Sequence, residues 1–307
     1  MMALGVNLQK YSLNTQSKIE KQLPKFKQKY WMLGLVFYIS SGIMLSIALL
    51  FASQSQLSPL MSMVLVSNVV FAHFLLGENI SKIDALGILI IIVGLCITTT
   101  TAPRAENILS KEELIDLYTH ALFICYVALI VAMIVSLYFL KCFFEKRNHE
   151  SEQRELKIWR AYGITFAALA GCFGGLCVTF MKSATTIIVE EANEGGFVGL
   201  VSSWLMWILI AVLGTTWVFQ LYWLNKGLEK FPVIFIVSIE AIVNEFVAVL
   251  GGTLYFEEYK MFSALTGTLF GFGLVLGMTG VALFASQADL GLDIECKEAP
   301  SVALNEI

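Results

Sequence analysis

The sequence predicts an all-α membrane protein, a polytopic bundle of transmembrane helices, and two observations lead to this prediction. Of the 307 residues, 57% are hydrophobic and only 14% are charged, which is more apolar surface than one soluble core of this size can bury. The apolar residues also occur in runs of about twenty, the length that a helix needs to cross a hydrocarbon layer roughly 30 Å thick. The composition therefore excludes an ordinary soluble domain.

Eight apolar runs are predicted to span the membrane. They lie at about 30–52, 57–77, 83–102, 119–142, 159–184, 200–225, 231–253 and 261–286. Residues 1–13 look like the end of one further helix and are too short to cross, so we expect most of the first of nine helices to be missing. The other segments are the basic linker that completes 1–29, an interfacial linker at 103–118, a basic cytosolic loop at 143–158 and a polar tail at 287–307 that we expect to be disordered.

Lysine and arginine are distributed unevenly between the two sides of the predicted bundle. Fifteen lie on the side that holds the 143–158 loop and the C-terminus, and four lie on the other side. This bias predicts a cytosolic C-terminus, in the plasma membrane or an internal membrane. The loops of the opposite side are acidic. Their acidic residues are either ordinary solvated loop residues or the lining of a vestibule that concentrates cations.

The interfacial linker contains one short predicted helix. Ser110 and Glu113 have the spacing of a capping box, and Leu114 and Leu117 belong to one apolar stripe. We expect this helix to lie on the membrane surface.

Two parts of the chain resemble each other. Pro59 precedes an apolar span that ends at Glu78, and Pro232 precedes one that ends at Glu257. The second interval is longer, 25 residues against 19, so we expect an insertion near residues 251–253. The first-repeat helices are those of 30–102, together with the N-terminal remnant, and the second repeat covers 159–286.

The predicted repeats are inverted relative to each other. Lys10 and Lys182 end corresponding segments of the two repeats. With the 119–142 helix between the repeats, five spans separate equivalent positions, and an odd number reverses the direction of the second copy. Inverted repeats place the substrate site near the membrane midplane, as in secondary transporters.

Residues at the span ends are expected to have gating or structural roles. They are Pro59, Glu78, Lys182, Pro232, Glu257 and Glu258. The three glutamates are expected to reach water there.

Glu240 is the leading candidate for a functional residue. It follows Pro232 by eight residues, which at about 1.5 Å per residue places it roughly 12 Å into the hydrocarbon layer. An ionisable group at this depth is costly and by default indicates a functional site. Asn244 lies one turn further on the same helix face, whereas Glu245 points about 140° away.

Gln220, Asn225 and Asn68 complete the predicted ion- or substrate-binding set. Mg²⁺ binds through one or two carboxylates and keeps most of its water, so Glu240 with amide oxygens is a sufficient site. Asn68 follows Pro59 by nine residues, at a depth close to that of Glu240. A purely structural interpretation stays open, in which Glu240 is protonated or paired with a lysine and Asn68 makes a helix–helix hydrogen bond.

An enzyme is not expected. The three histidines, His73, His120 and His149, are scattered, and no nucleophile motif or metal-ligand pair accompanies them. The sequence implies no cofactor and no nucleic-acid partner. The partner that the composition does imply is the lipid bilayer.

Two stretches resemble known transporters. Residues 51–60 lead through Pro59 to Leu76-Gly77-Glu78 and on to Ala102-Pro103, which resembles the drug/metabolite transporter superfamily. Residues 220–228, Gln-Leu-Tyr-Trp-Leu-Asn-Lys-Gly-Leu, are similar to the Gln-x-x-Tyr-Leu-Asn-Lys-Ala-Leu stretch of the NIPA-type magnesium transporters. The resemblance covers about residues 4–286. It implies a carrier of divalent cations, chiefly Mg²⁺, that works by alternating access, and it leaves a homodimer open.

The chain departs from this family at its acidic position. Family members usually carry Glu and Asn where this chain aligns Gly42 and Leu45, and Thr or Ser where it has Glu240. Either the acidic group has moved to a facing helix and the site is preserved, or the substrate has changed to a small organic solute that is exported. A non-transporting membrane scaffold is the third alternative, and it predicts indifference to changes at Glu240.

Overall fold

The structure, a computed structural model, describes residues 1–15, 27–76, 82–103, 111–150 and 156–302. All regular elements of these residues are helical. The α-helices are α1 (Met2–Thr15), α2 (Lys29–Ala48), α3 (Gln54–Leu60), α4 (Met63–Leu76), α5 (Lys82–Thr101), α6 (Lys111–Thr119), α7 (Ala121–Glu150), α8 (Leu156–Ser202), α9 (Trp204–Lys230), α10 (Val233–Leu250) and α11 (Ala264–Val302). A π-helix (Gly251–Tyr255) and a 3-10 helix (Glu258–Met261) connect α10 to α11.

Six of the described helices are long and apolar enough to cross a membrane, namely α2, α7, α8, α9, α10 and α11. α5 contributes a shorter apolar segment, Ala85–Thr101. The span predicted at 57–77 is divided into α3 and α4, since Pro59 has no N–H to continue the helical ladder and α3 ends one residue later. The protein is an integral, multi-pass membrane protein, but the predicted count of eight spans is not confirmed.

Several helices continue past their predicted ends. α9 runs on to Lys230, so the turn before α10 lies at Phe231 and Pro232 and not at residues 226–230. α7 reaches Glu150 and α11 reaches Val302, beyond the predicted ends at 142 and 286. The physical reason is that Lys, Arg and Glu are good helix formers, so a helix need not stop where its apolar run stops.

α6 is the helix predicted for the interfacial linker, but its surroundings differ from the prediction. Leu114 and Leu117 are buried in one cluster with Tyr255 and Phe256. The apolar stripe therefore packs on protein and not on the membrane surface, because the aromatic residues of the π-helix region offer it a closer apolar partner.

α8 and α10 form the centre of the bundle. In their most apolar stretches, 83% and 61% of the residues are buried, against 11–28% in the other four long helices. α8 packs on α7, α9 and α10, and α10 packs also on α3, α4 and α11. Most side chains in the middle of α10 are therefore enclosed by protein, with Phe246 as an exposed exception, whereas α2, α7, α9 and α11 turn many large apolar side chains outward.

Glycines allow two peripheral helix pairs to approach closely. A Cβ atom on Gly94 of α5 would lie 2.5 Å from the backbone nitrogen of Gly277 in α11, and one on Gly5 of α1 would lie 2.7 Å from the carbonyl oxygen of Gly34 in α2. Gly271 of α11, by contrast, faces open space with no atom within 4 Å of an added Cβ. Close packing therefore depends on particular glycines and not on the glycine-rich composition as such.

Replacing Gly94 by alanine is expected to destabilise the protein. The added methyl group would force α5 away from α11, at a cost of about 1–3 kcal/mol in the free energy of unfolding. Thermal unfolding in detergent measures the effect as a lower midpoint temperature. Gly271→Ala is the matched control, because it brings the same gain in helix propensity without a clash. Equal midpoints for the two variants would refute the packing argument.

Candidate ion-binding site

Glu240, Gln220 and Asn244 meet in the interior of the bundle. Nε2 of Gln220 donates a hydrogen bond to Oε1 of Glu240 at 3.1 Å, and Nδ2 of Asn244 donates to the same oxygen at 3.3 Å. All three residues are buried, with exposures of 2–4%. Glu240 and Asn244 come together because they lie one turn apart on α10, and Gln220 is supplied by α9.

Two glycines of α8 make room for this cluster. A Cβ atom on Gly174 would lie 2.7 Å from Nε2 of Gln220 and 2.8 Å from Nδ2 of Asn244. One on Gly171 would lie 2.7 Å from the carbonyl oxygen of Glu240. A side chain at either position would therefore displace the two amides or push α10 away from α8.

A cavity of about 340 Å³ adjoins the two amide side chains. Gln220 and Asn244 line it, and Glu240 lies behind them, bonded to their nitrogen atoms. The opposite wall includes Gly42 and Leu45 of α2. These are the two positions at which the family resemblance places Glu and Asn, so a polar group on α2 and the amides of α9 and α10 would face one common space.

The donor set consists of one carboxylate and two amides. Among the described residues, no group of three or more His, Cys, Asp or Glu is arranged to hold a metal ion. Since the amide nitrogens of Gln220 and Asn244 both donate to Glu240, their amide oxygens are the groups left to bind a ligand. Carboxylate and amide oxygens suit hard cations such as Mg²⁺ and Ca²⁺. The arrangement can hold a cation that keeps most of its water.

Asn225, although predicted to join the site, does not contact Glu240. Its Oδ1 accepts a hydrogen bond from Nε1 of Trp31 at 3.1 Å, and its Nδ2 donates to the carbonyl oxygen of Leu221 at 2.9 Å. Asn225 follows Gln220 by five residues, which rotates it by about 140° around α9, towards α2. Of the two residues in this motif, Gln220 therefore belongs to the candidate site and Asn225 to the packing of α9 on α2.

The remaining predicted positions are distributed along the bundle. Asn68 lies in α4, but its side chain is outside the described part of the structure, and Glu78 is wholly outside it. Pro59 lies in the last turn of α3, and Pro232 directly precedes α10. Both prolines therefore mark breaks between helices, and their gating or structural roles stay predictions.

Glu245 is a second buried acid on α10, and it stands apart from the cavity. It is 3% exposed, and its Oε2 accepts a hydrogen bond from Oγ of Ser62 at 2.6 Å. Ser62 lies in the break between α3 and α4. The sequence predicts that Glu245 points away from Glu240, but it does not predict the partner of Glu245. The signal that could have revealed this partner is a serine three residues after the helix-breaking Pro59.

Lys182 and Glu258 form a second buried polar cluster. Nζ of Lys182 lies 2.7 Å from Oε1 of Glu258, whose two oxygens also accept from the backbone N–H groups of Gln54 and Ser55, each at 2.9 Å. Glu258 is only 3% exposed, so the expectation that it reaches water is wrong. The connection after the π-helix turns its carboxylate inward, where these donors lie.

The electrostatics of Glu258 result from these contacts. Burial alone raises the pKa of the Glu258 carboxyl, but Lys182 and the Ser55 groups outweigh burial and hold the pKa below its usual value of 4.5. The folded state then binds the proton less readily than the unfolded chain does. The resulting stabilisation is present above pH 4.5 and is lost as the pH falls through the folded-state pKa.

Glu258→Gln is therefore expected to destabilise the protein at neutral pH and to flatten the pH dependence of its stability. The substitution leaves Lys182 buried without a countercharge, which costs on the order of 3–5 kcal/mol. Thermal unfolding in detergent between neutral pH and about pH 4 measures both effects. Glu257→Gln is the control, because the partners of Glu257, Lys260 and His120, are exposed. Parallel pH curves for wild type and Glu258→Gln would contradict the assignment.

These features define a class of protein: an integral membrane protein whose helical bundle encloses a carboxylate–amide cluster beside a cavity. The family model described as Magnesium transporter NIPA matches residues 1–290. The chain belongs to this family.

Individual relatives agree with this assignment. "Probable magnesium transporter NIPA8" of Arabidopsis thaliana is 23% identical over 296 residues, which cover 94% of this chain and 66% of the relative. "Probable magnesium transporter NIPA1" of the same plant is 23% identical over 265 residues, 86% of this chain and 74% of the relative. "NIPA-like protein 2" of Mus musculus is 22% identical over 284 residues, which cover 92% of this chain and 70% of the relative. The chain thus spans about two thirds of the length of these relatives. No solved structure matches it.

Proposed function

We propose that this protein carries divalent cations, above all Mg²⁺, across the membrane by alternating access. The observation that carries the proposal is the Glu240 carboxylate, bonded to Gln220 and Asn244 beside a cavity in the middle of the bundle. Membership of the NIPA family supports it, since the relatives' names describe magnesium transporters.

The cavity suits a hydrated ion. Mg²⁺ gives up its water reluctantly and is usually held through one or two carboxylates with several waters retained. Six waters at about 30 Å³ each occupy roughly 180 Å³, which is less than the cavity volume of about 340 Å³. Glu240 supplies the negative charge from behind the amides, and the amide oxygens of Gln220 and Asn244 would accept hydrogen bonds from the ion's water shell.

The helix packing supports two inverted repeats. α1 packs on α2 and α4, just as α8 packs on α9 and α10. α5 and α11, the last helices of the two proposed repeats, pack extensively on each other. This is the pattern expected when two copies of one unit are joined by a two-fold axis in the membrane plane, with the substrate between them.

Two equivalent lysines support the two gates that alternating access requires. Nζ of Lys10 on α1 donates to the carbonyl oxygens of Leu228 and Phe231 at 2.6 and 3.0 Å, at the turn between α9 and α10. Lys182 on α8 binds Glu258, which in turn holds the start of α3. Lys10 thus joins the first helix of one repeat directly to a turn of the other, and Lys182 reaches the start of α3 in the other repeat through Glu258, which belongs to its own repeat.

The two lysine contacts lie at opposite ends of the bundle. α10 separates Phe231 from the π-helix, and its 18 residues are about 27 Å long. With both contacts made, each end of the bundle is held by one lysine. Release of one contact at a time would expose Glu240 to one side and then to the other, and an inside-negative potential would favour inward movement by about 2.3 kcal/mol per elementary charge per 100 mV.

The runner-up is an exporter of a small organic solute. The observation in its favour is the apolar part of the cavity wall, which includes Met44, Met61, Met181 and Trp217. Methionine side chains adapt to irregular apolar ligands. In this alternative, Glu240 would bind a cationic group of the solute or a coupling proton.

Glu240→Gln is expected to reduce the initial rate of Mg²⁺ uptake about tenfold or more, because a neutral amide cannot offset the charge of a divalent ion in a buried site. Uptake into cells that express equal amounts of each protein measures the effect. Glu245→Gln is the matched control, a buried glutamate on the same helix that does not line the cavity. Equal uptake by wild type and Glu240→Gln would refute the role of Glu240, and a wild type that lowers accumulation of an organic compound without moving Mg²⁺ would favour the exporter.

The gates can be tested with Cys177, which lines the cavity. In a variant that retains Cys177 alone of the six cysteines, Lys182→Met is expected to raise the labelling of Cys177 by a membrane-impermeant thiol reagent from the side of Glu258. Lys10→Met is expected to raise labelling from the opposite side. Labelling that increases equally from both sides in both variants would show that the lysines only stabilise the fold.

A further inference from the structure

A groove of about 540 Å³ runs between α2 and α9, outside the cavity. Its walls are apolar and aromatic for most of their length. They include Trp31, Leu35, Gly214, Trp217, Tyr222 and Lys226. This volume is within the range of small-molecule sites, roughly 300–1,000 Å³.

The length of the groove fits one leaflet of a bilayer. Gly214 and Lys226 are twelve residues apart on α9, which corresponds to about 18 Å along the helix. Half of a hydrocarbon layer roughly 30 Å thick is about 15 Å. A groove that begins at Lys226 therefore reaches as far as the acyl chain of one lipid.

Positive charge is concentrated at one end of the groove. The hydrogen bond from Trp31 to Asn225, 3.1 Å long, fixes the start of α2 beside the end of α9. Lys29 precedes Trp31 by two residues and Lys226 follows Asn225, so both ammonium groups belong to the same end. Lys29 is exposed, and the side chain of Lys226 is 42% exposed, 3.5 Å from Glu229.

The aromatic residues at this end are those of a membrane interface. Trp31 and Tyr222 both line the groove, and Trp and Tyr side chains are enriched at the level of lipid headgroups. Beyond them, towards Gly214, the wall is apolar. The order along the groove is therefore cation, interfacial aromatic and apolar wall, which is complementary to a phosphate, a glycerol region and an acyl chain.

We propose that this groove binds one anionic phospholipid, with its headgroup beside Lys29 and Lys226 and one acyl chain along α9 to Gly214. Net negative charge on the headgroup is part of the proposal, because basic residues at a membrane surface favour anionic over zwitterionic lipid by about fivefold each.

The bound lipid would also brace the wall of the cavity. Trp217 belongs to both the groove and the cavity. Its ring lies against Gly42, where an added Cβ would be 2.7 Å from the ring, and its centroid is 6.3 Å from that of Tyr38. An acyl chain on the other side of the indole would hold the ring in this place.

Native mass spectrometry of the purified full chain tests the site, with phosphatidylserine and phosphatidylcholine of identical acyl chains as probes. Wild type is expected to retain one phosphatidylserine about 25-fold more tightly than phosphatidylcholine, about fivefold for each lysine. Gly214→Leu fills the apolar end, where an added Cβ meets no atom within 4 Å, and is expected to weaken retention of that lipid about tenfold. The double variant Lys29→Gln, Lys226→Gln is expected to abolish the preference for phosphatidylserine.

Gly271→Leu is the matched control, because Gly271 is also an open glycine within a helix but lies on α11, away from the groove. It is expected to retain lipid as wild type does. Equal retention of the two lipids by wild type would overturn the proposal, and so would equal effects of Gly214→Leu and Gly271→Leu. The lysine variants touch no packed core, so the headgroup contact can be tested even if Gly214→Leu fails to fold.

Discussion

The hydrogen bonds that Gln220 and Asn244 donate to Glu240 are the constraint on which the centre of this protein depends. A carboxylate in the interior of a membrane bundle has no water to solvate it, and leaving it without donors would cost several kcal/mol. Two amides from two helices meet this need only if α8, α9 and α10 approach closely. Gly171 and Gly174 permit that approach, so the packing of the central helices is set by the demands of one acid.

The same need for donors explains why the polar clusters of the bundle are separate. Glu245 is bonded to Ser62 at the break between α3 and α4, and Glu258 is bonded to Lys182 and to the start of α3. Glu245 has its partner at a helix break, and Glu258 has two backbone partners at the start of α3, where unpaired N–H groups are available as donors. Glu240 differs because its amide partners line a cavity, and this is the reason to propose a binding site there and structural contacts at the other two acids.

The sequence predicts whether a polar side chain is buried in the bundle better than it predicts the neighbours of that side chain. Distance from Pro232 places Glu240 inside the bundle, and a spacing of four places Asn244 beside it, as the structure has them. Asn225 shares a motif with Gln220, but a spacing of five residues rotates it towards Trp31. The prediction that Glu258 reaches water is wrong because a π-helix, which adds a residue to a helical turn and redirects the chain after it, has no clear signature beyond the predicted insertion near 251–253.

The two proposed gates differ in the kind of group that each lysine binds. Lys182 binds a full negative charge on Glu258, within a cluster that also uses two backbone N–H groups. Lys10 binds two carbonyl oxygens at the C-terminal end of α9, which carry only the partial charge of the helix dipole. Protonation of Glu258 at low pH would weaken the gate at that end of the bundle, because it removes the negative charge that Lys182 binds.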